Sequence, residues 1–216
     1  MNRAIGRVLA PTLTAAALAG CAASPPVNYY TLLAPEPATP AAARDGQPPY
    51  LLEVLPVTVP SQADQPQIMM RQPDGAVSAY YSDRWTAPLP DEIRGALSYN
   101  LVRDLGVLDV QTISAPSSAA VWRVQVDVQR FDAAAGGSAV LDATWRVRPV
   151  NLQGQGLLCR SVVQLPLGGT APGNAVAAQQ KATVALAATI ASAIRSGGAR
   201  ASSADPAVQL QGCTSS

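Results

Sequence analysis

Three long stretches between Val121 and Leu167 restrict the chain to few folds. In the first, Val121 to Phe131, Trp122, Val124, Val126 and Val128 occupy one phase while Arg123, Gln125, Asp127 and Gln129 occupy the other. Period-two alternation of this length marks a half-buried strand, because successive side chains point to opposite faces of a sheet. Ala139 to Val150 repeats the pattern with Leu141, Ala143 and Trp145, and Leu157 to Leu167 follows a Gln153-Gly154-Gln155-Gly156 turn. Consecutive strands joined by short turns predict an antiparallel meander.

The flanking segments supply the remaining elements. Tyr50 to Val59 reads as a strand, and Gln67 to Gln72 with Ala76 to Trp85 as a hairpin around Pro73-Asp74-Gly75, where Pro presets φ and Gly accepts positive φ. This pairing brings Met69 and Met70 near Tyr80 and Tyr81. Pro90, Asp91 and Glu92 open a helix with Ile93, Leu97, Leu101 and Leu105 on one stripe and Gly106 as its stop. Val107 to Ile113 reads as a short strand. Asn174 is the expected cap of a last helix with Val176, Val184, Ala187, Ile190 and Ile194 along one face, ended by Gly197-Gly198. The order predicts a mixed α/β (α+β) fold: one mixed β-sheet with an antiparallel meander, packed by two main helices. Residues 50–198 form the expected single domain, and 199–216 a C-terminal tail.

The N-terminal residues have a different logic. Met1 to Arg7 carries Arg3 and Arg7, Val8 to Leu18 is apolar but too short to span a bilayer, and Ala19-Gly20 precede Cys21; this is the layout of a secretory signal peptide over residues 1–20. Leu18-Ala19-Gly20-Cys21 matches a lipobox, in which the thiol receives a diacylglyceryl group and becomes the new N-terminus. Cys21 is therefore the expected lipidation site, and two or three acyl chains anchor a protein stably. Residues 21–49 are rich in Pro and Ala and read as a tether, with Tyr29 to Leu33 as a possible edge strand.

Several functions are excluded or weakened by composition. The chain has no histidine, which removes Ser-His-Asp and Cys-His catalysis and His-ligated metal sites. Losing Arg3 and Arg7 with the leader turns 15 basic and 14 acidic residues into a net charge of about minus one, so nucleic acid is not an expected partner. Cys159 and Cys213 form an even pair in an oxidising compartment; a structural disulfide is the expected reading and a reactive thiol pair the alternative. Asp91 and Glu92 are explained by the helix dipole, Asp83 and Arg84 by a hairpin-end ion pair, and Gly136-Gly137 and Gly168-Gly169 by turns. Trp122 and Trp145 read as core and Trp85 as packing under the helix entry, against an aromatic binding face. Met69, Met70, Tyr80 and Tyr81 fill the core or line an apolar lipid groove. No catalytic or metal-binding residue is singled out, and no cofactor beyond the acyl chains on Cys21.

Three segments carry a resemblance: Asp64-Gln65-Pro66-Gln67-Ile68-Met69-Met70-Arg71, Ser82-Asp83-Arg84-Trp85-Thr86-Ala87-Pro88-Leu89, and Leu97-Ser98-Tyr99-Asn100-Leu101, with Tyr29-Tyr30-Thr31-Leu32 upstream. They resemble the ABC-type transport auxiliary lipoproteins, the PqiC-like (paraquat-inducible protein C) family. Gln65 departs from the arginine common there, which puts a charge role at that position in doubt. The resemblance implies a fold similar to the N-terminal domain of TolB and a periplasm-facing lipoprotein. It also implies lipid traffic between membranes beside an ABC permease and ATPase and a mammalian-cell-entry (MCE) domain protein, which ring-forming copies meet. Pro66, Gln67, Arg71, Arg84, Trp85, Pro88 and Leu89 are its candidate interaction residues. Ala22, in place of an aspartate after the lipidated cysteine, favours the outer membrane. The expected function is thus a non-enzymatic subunit of an MCE/ABC-type lipid transport system; the alternative is a stand-alone lipid-binding or envelope-integrity lipoprotein.

Overall fold

The computed structural model describes residues 25–34, 50–110 and 113–216. The leader, Cys21 and most of the Pro-rich segment before Tyr50 lie outside the described residues. In chain order the elements are β1 (Asn28–Tyr30), β2 (Leu51–Val54), β3 (Gln67–Arg71), β4 (Val77–Trp85), α1 (Leu89–Leu105), β5 (Val121–Ala133), β6 (Ser138–Val150), β7 (Leu157–Pro166), α2 (Pro172–Arg195) and β8 (Val208–Ser215).

The expected meander is present as β5, β6 and β7, each pair antiparallel. Trp122, Val124, Val126 and Val128 of β5 and Leu141, Ala143, Trp145 and Val147 of β6 are buried. The one polar atom of Trp145 is satisfied within the core, where its Nε1 donates to Ser161 Oγ at 2.9 Å. That bond removes the penalty of a buried, unpaired indole N–H. α2 lies over β6 and β7 and packs on α1. Its polar Thr183 and Thr189 are tolerated inside because each hydroxyl donates to the carbonyl four residues earlier.

The strands divide into two sheets instead of the single one expected. A five-stranded sheet has the order β2-β5-β6-β7-β8, and a three-stranded one the order β1-β4-β3. The hairpin forms around Gly75 at φ 89° as its turn chemistry requires, but β4 takes β1 as its second, parallel neighbour. Further differences are local. β2 stops at Val54, before Pro56, which has no N–H for a ladder. Val107 to Ile113 contributes one isolated bridge, Leu52 to Asp109. Asn174 does not cap α2: the helix begins at Pro172 after Ala171, with Asn174 inside the first turn, consistent with proline's preference for that turn. Gly106, at φ 69°, ends α1 as expected.

Both ends of the chain join the body. At the start, Thr31 Oγ1 and Leu32 N each donate to Glu92 Oε2 at 2.8 Å, Thr86 Oγ1 donates to Glu92 Oε1, and Gln180 Nε2 of α2 donates to Thr31 O at 2.8 Å. Glu92, read from sequence as a dipole partner, is buried and ties three segments together. At the other end, the segment read as a tail is strand β8, antiparallel to β7, with Cys159 directly opposite Cys213 and a disulfide between them across 54 positions. The neighbouring turn packs closely: Gly198 sits at φ 80°, and a Cβ there would meet Gln155 O at 1.8 Å.

Two stability measurements test this frame. Glu92→Ala leaves the buried Leu32 N–H without its acceptor, and urea unfolding should show a loss of about 2–3 kcal/mol. The double change Cys159→Ala, Cys213→Ala should cost about 2–4 kcal/mol by freeing a long loop in the unfolded chain; an unchanged urea midpoint would show that pairing of β8 suffices without the bond.

Candidate functional site

The two sheets approach each other where β3 runs beside the far end of β5. Arg71 bridges in parallel to Ala134, and Ala135 N donates to Arg71 O at 2.9 Å. Between these strands, the first turns of α2 and Leu89 of α1 lies a cavity of about 450 Å³.

A bulge builds its far wall. The register of β5 against β6 shifts between Val128 and Arg130, so the inward phase changes from the even-numbered Trp122 to Val128 to the odd-numbered Phe131 and Ala133. Phe131 then meets Trp85 edge-on, with ring centroids 6.1 Å apart and planes at 64°, a favoured aromatic geometry. Ile68, Leu89 and Val176 extend this apolar lining.

The polar end is made by Asp132 and its neighbours. Asp132 Oδ2 accepts from Arg71 at 2.8 Å and from Arg130 at 2.7 Å, with both guanidiniums about half exposed. The hydrogen bond to Asp132 holds the Arg130 pKa above its ordinary value. Two cations therefore share one carboxylate. Beneath them Gln179, 2% exposed, donates from Nε2 to Asp132 O at 2.8 Å and to Val140 O at 3.3 Å. Two carbonyl acceptors fix which end of the amide carries nitrogen. Gln179 Oε1 has no hydrogen-bond partner, and Gln179 is a wall of the cavity.

Of the candidate residues, Gln67, Arg71, Trp85 and Leu89 come together on this cavity. Pro66 and Pro88 act through the backbone beside it: Pro66 O accepts from Trp85 N, and Pro88 O accepts from Asp91 N and Glu92 N at the start of α1. Arg84 stays outside, its Nε donating to Tyr81 O at 3.1 Å. It does not pair with Asp83, which accepts from Asn28 Nδ2 and Tyr30 Oη; burial and that bond push the Tyr30 phenol pKa up. Met69 lines the cavity, Met70 is core, and Tyr81 is 71% exposed, so the Met/Tyr group does not act as one lining. The half of the site on β5 and α2 was not singled out from sequence. A signal existed: Gln179 falls in step with Val176 and Thr183 on the buried stripe of α2, where a glutamine is out of place.

A second, more open cavity of about 640 Å³ follows the outer side of α2 past Lys181 and Arg195. Its polar walls are exposed or half-buried. Among the described residues no cluster of three or more His, Cys, Asp or Glu could hold a metal ion, and no helix is long and apolar enough to cross a membrane.

The sequence profile of the ABC-type transport auxiliary lipoprotein component family matches residues 30–191. The chain belongs to this family. The match takes in both sheets and most of α2, so β3, β4, β5 and the cavity between them are family territory. No curated protein matches the chain significantly in sequence. Two solved structures share the fold. A crystal structure of an uncharacterized protein superposes with a TM-score of 0.62 at 20% identity, covering 79% of this chain and 99% of its own. Protein XCC0632 of Xanthomonas campestris, of the DUF330 family, superposes with a TM-score of 0.56 at 19% identity, covering 79% and 96%.

Two substitutions separate structural from surface roles here. Trp85→Ala removes a buried ring and should lower stability by about 3 kcal/mol in urea unfolding, whereas Arg71→Ala breaks a half-exposed ion pair and should change it by less than about 1 kcal/mol.

Proposed function

We propose that this family member is a non-enzymatic subunit of an MCE/ABC-type intermembrane lipid transport system. In this reading it is lipidated on Cys21, faces the periplasm from the outer membrane, and docks an MCE-domain partner as a ring of copies. The family match supports the transport role. Ala22, the residue after the lipobox cysteine, favours outer-membrane sorting.

One structural observation carries the positional part of the reading. The tether expected over residues 21–49 is cut short because Asn28–Tyr30 pairs with Asp83–Trp85 and Glu92 holds Thr31 and Leu32. Seven residues separate Cys21 from Asn28, and a chain spans at most about 3.6 Å per residue, so the β1 edge stands within roughly 25 Å of the anchor. A lipid that holds a domain this close constrains its orientation as well as its location. The exposed Tyr29 and Tyr81 lie on the small sheet nearest that anchor, and exposed aromatics are common contact residues. The cavity favours a second reading, a stand-alone lipid-binding or envelope-integrity lipoprotein, which needs no permease.

Both readings are open to test in cells. Mass spectrometry of the mature N-terminal peptide should find a diacylglyceryl Cys21, and Cys21→Ser should release the chain from the membrane fraction. A photoreactive residue at Tyr81 should capture an MCE protein, and a flexible insertion between Pro26 and Val27 should lower that capture by loosening the anchor. A correctly lipidated chain that captures no MCE protein from any exposed position of the small sheet would leave the second reading standing.

A further inference from the structure

The cavity beside Trp85 combines three features that specify a ligand. Its volume, about 450 Å³, is within the usual range for small-molecule sites, and its walls of Ile68, Trp85, Leu89, Phe131 and Val176 are apolar. Its polar end holds two guanidiniums against one carboxylate, Arg71 and Arg130 on Asp132, leaving one positive charge in excess and N–H donors free on half-exposed side chains. Its floor includes the buried Gln179, whose Oε1 is an acceptor without a donor. A buried amide oxygen left unpaired costs free energy, and a ligand that donates to it recovers that cost.

We propose that this cavity is a binding site for a single-chain anionic amphiphile bearing a hydroxyl group next to its charge, of the lysophospholipid class. The acyl chain lies along the apolar walls, the hydroxyl donates to Gln179 Oε1, and the anionic group meets Arg71 and Arg130. The chemistry selects against close alternatives: a fatty-acid ester has neither the charge nor the donor, and a two-chain phospholipid brings a second chain to a space suited to one. The inference rests on the transport reading only in preferring a phospholipid over other amphiphiles, and it does not involve the MCE partner.

Trp85 gives the site its own reporter, because Trp122 and Trp145 are buried elsewhere in the core. The full lipidated chain, extracted in polymer nanodiscs without detergent, is titrated below micelle concentrations with lysophosphatidylglycerol carrying a dibrominated acyl chain. Saturable quenching of tryptophan emission is the expected result. The analogue with its glycerol hydroxyls methylated should bind about five-fold or more weakly, the weight of one hydrogen bond, and wild-type chain and Gln179→Met should then bind that analogue alike. Val77→Phe, at a 58% exposed wall position, should abolish saturable quenching with the fold intact by circular dichroism. Native mass spectrometry of the extracted chain should show one lysophospholipid mass. Equal binding of the methylated analogue by the wild-type chain would overturn the proposal. So would saturable quenching that survives Val77→Phe, or a two-chain lipid, a peptide or a second copy of the chain in the cavity. Failure here with MCE capture intact would remove this inference alone.

Discussion

The carboxylate of Glu92 holds the arrangement of this molecule together at the point where position matters. Its two oxygens receive Thr31, the Leu32 backbone and Thr86, so one buried side chain on α1 joins the N-terminal segment to the exit of β4. A buried carboxylate is tolerated only when its lone pairs are used, and here charge-assisted bonds use them. Without that knot β1 would have three residue pairs with β4 and little else to keep it in place. With it, the first folded residue lies seven positions after Cys21, and whatever anchors Cys21 also sets where the small sheet stands.

The cavity follows from a conflict between two sheets. The meander is a regular, well-packed unit, whereas the β3–β4 hairpin belongs to another sheet and approaches β5 only at Arg71 and Ala134. The bulge at the end of β5 answers this by turning Phe131 and Ala133 inward, and the space left between hairpin and helix is rimmed by Asp132 and its two arginines. Bulges commonly re-aim side chains beside functional sites. Stability and binding thus fall on different residues: Trp85 and Leu89 support the core, while Arg71 and Gln67 face the opening.

Much of the frame was legible because it is written in local periodicity. The strands β5 to β7 and both helices follow from apolar spacing, the hairpin from Pro73-Asp74-Gly75, and the end of α1 from Gly106. Three local readings failed for identifiable reasons. Val107 to Ile113 had strand-like composition but found only one bridging partner, Asn174 had cap chemistry but followed a proline that starts the helix, and the C-terminal segment was polar enough to read as a tail although β7 offered it an open edge. Strand propensity describes fitness for a pleated surface, and the availability of that surface is a tertiary matter.

By itself the sequence determined the family, through the segments around Pro66-Gln67 and Arg84-Trp85, along with the meander, the two helices and the lipobox ending in Cys21. Only the tertiary structure decided that the strands form two sheets, that Glu92 is a knot and not merely a dipole partner, and that Gln179, Asp132 and Arg130 share a cavity with Trp85. The physical reason is distance along the chain. Periodicity and turn chemistry act over a few residues, whereas the bonds from Thr31 to Glu92 and from Gln179 to Asp132 join positions 61 and 47 apart, and nothing in the local pattern of either segment names its partner.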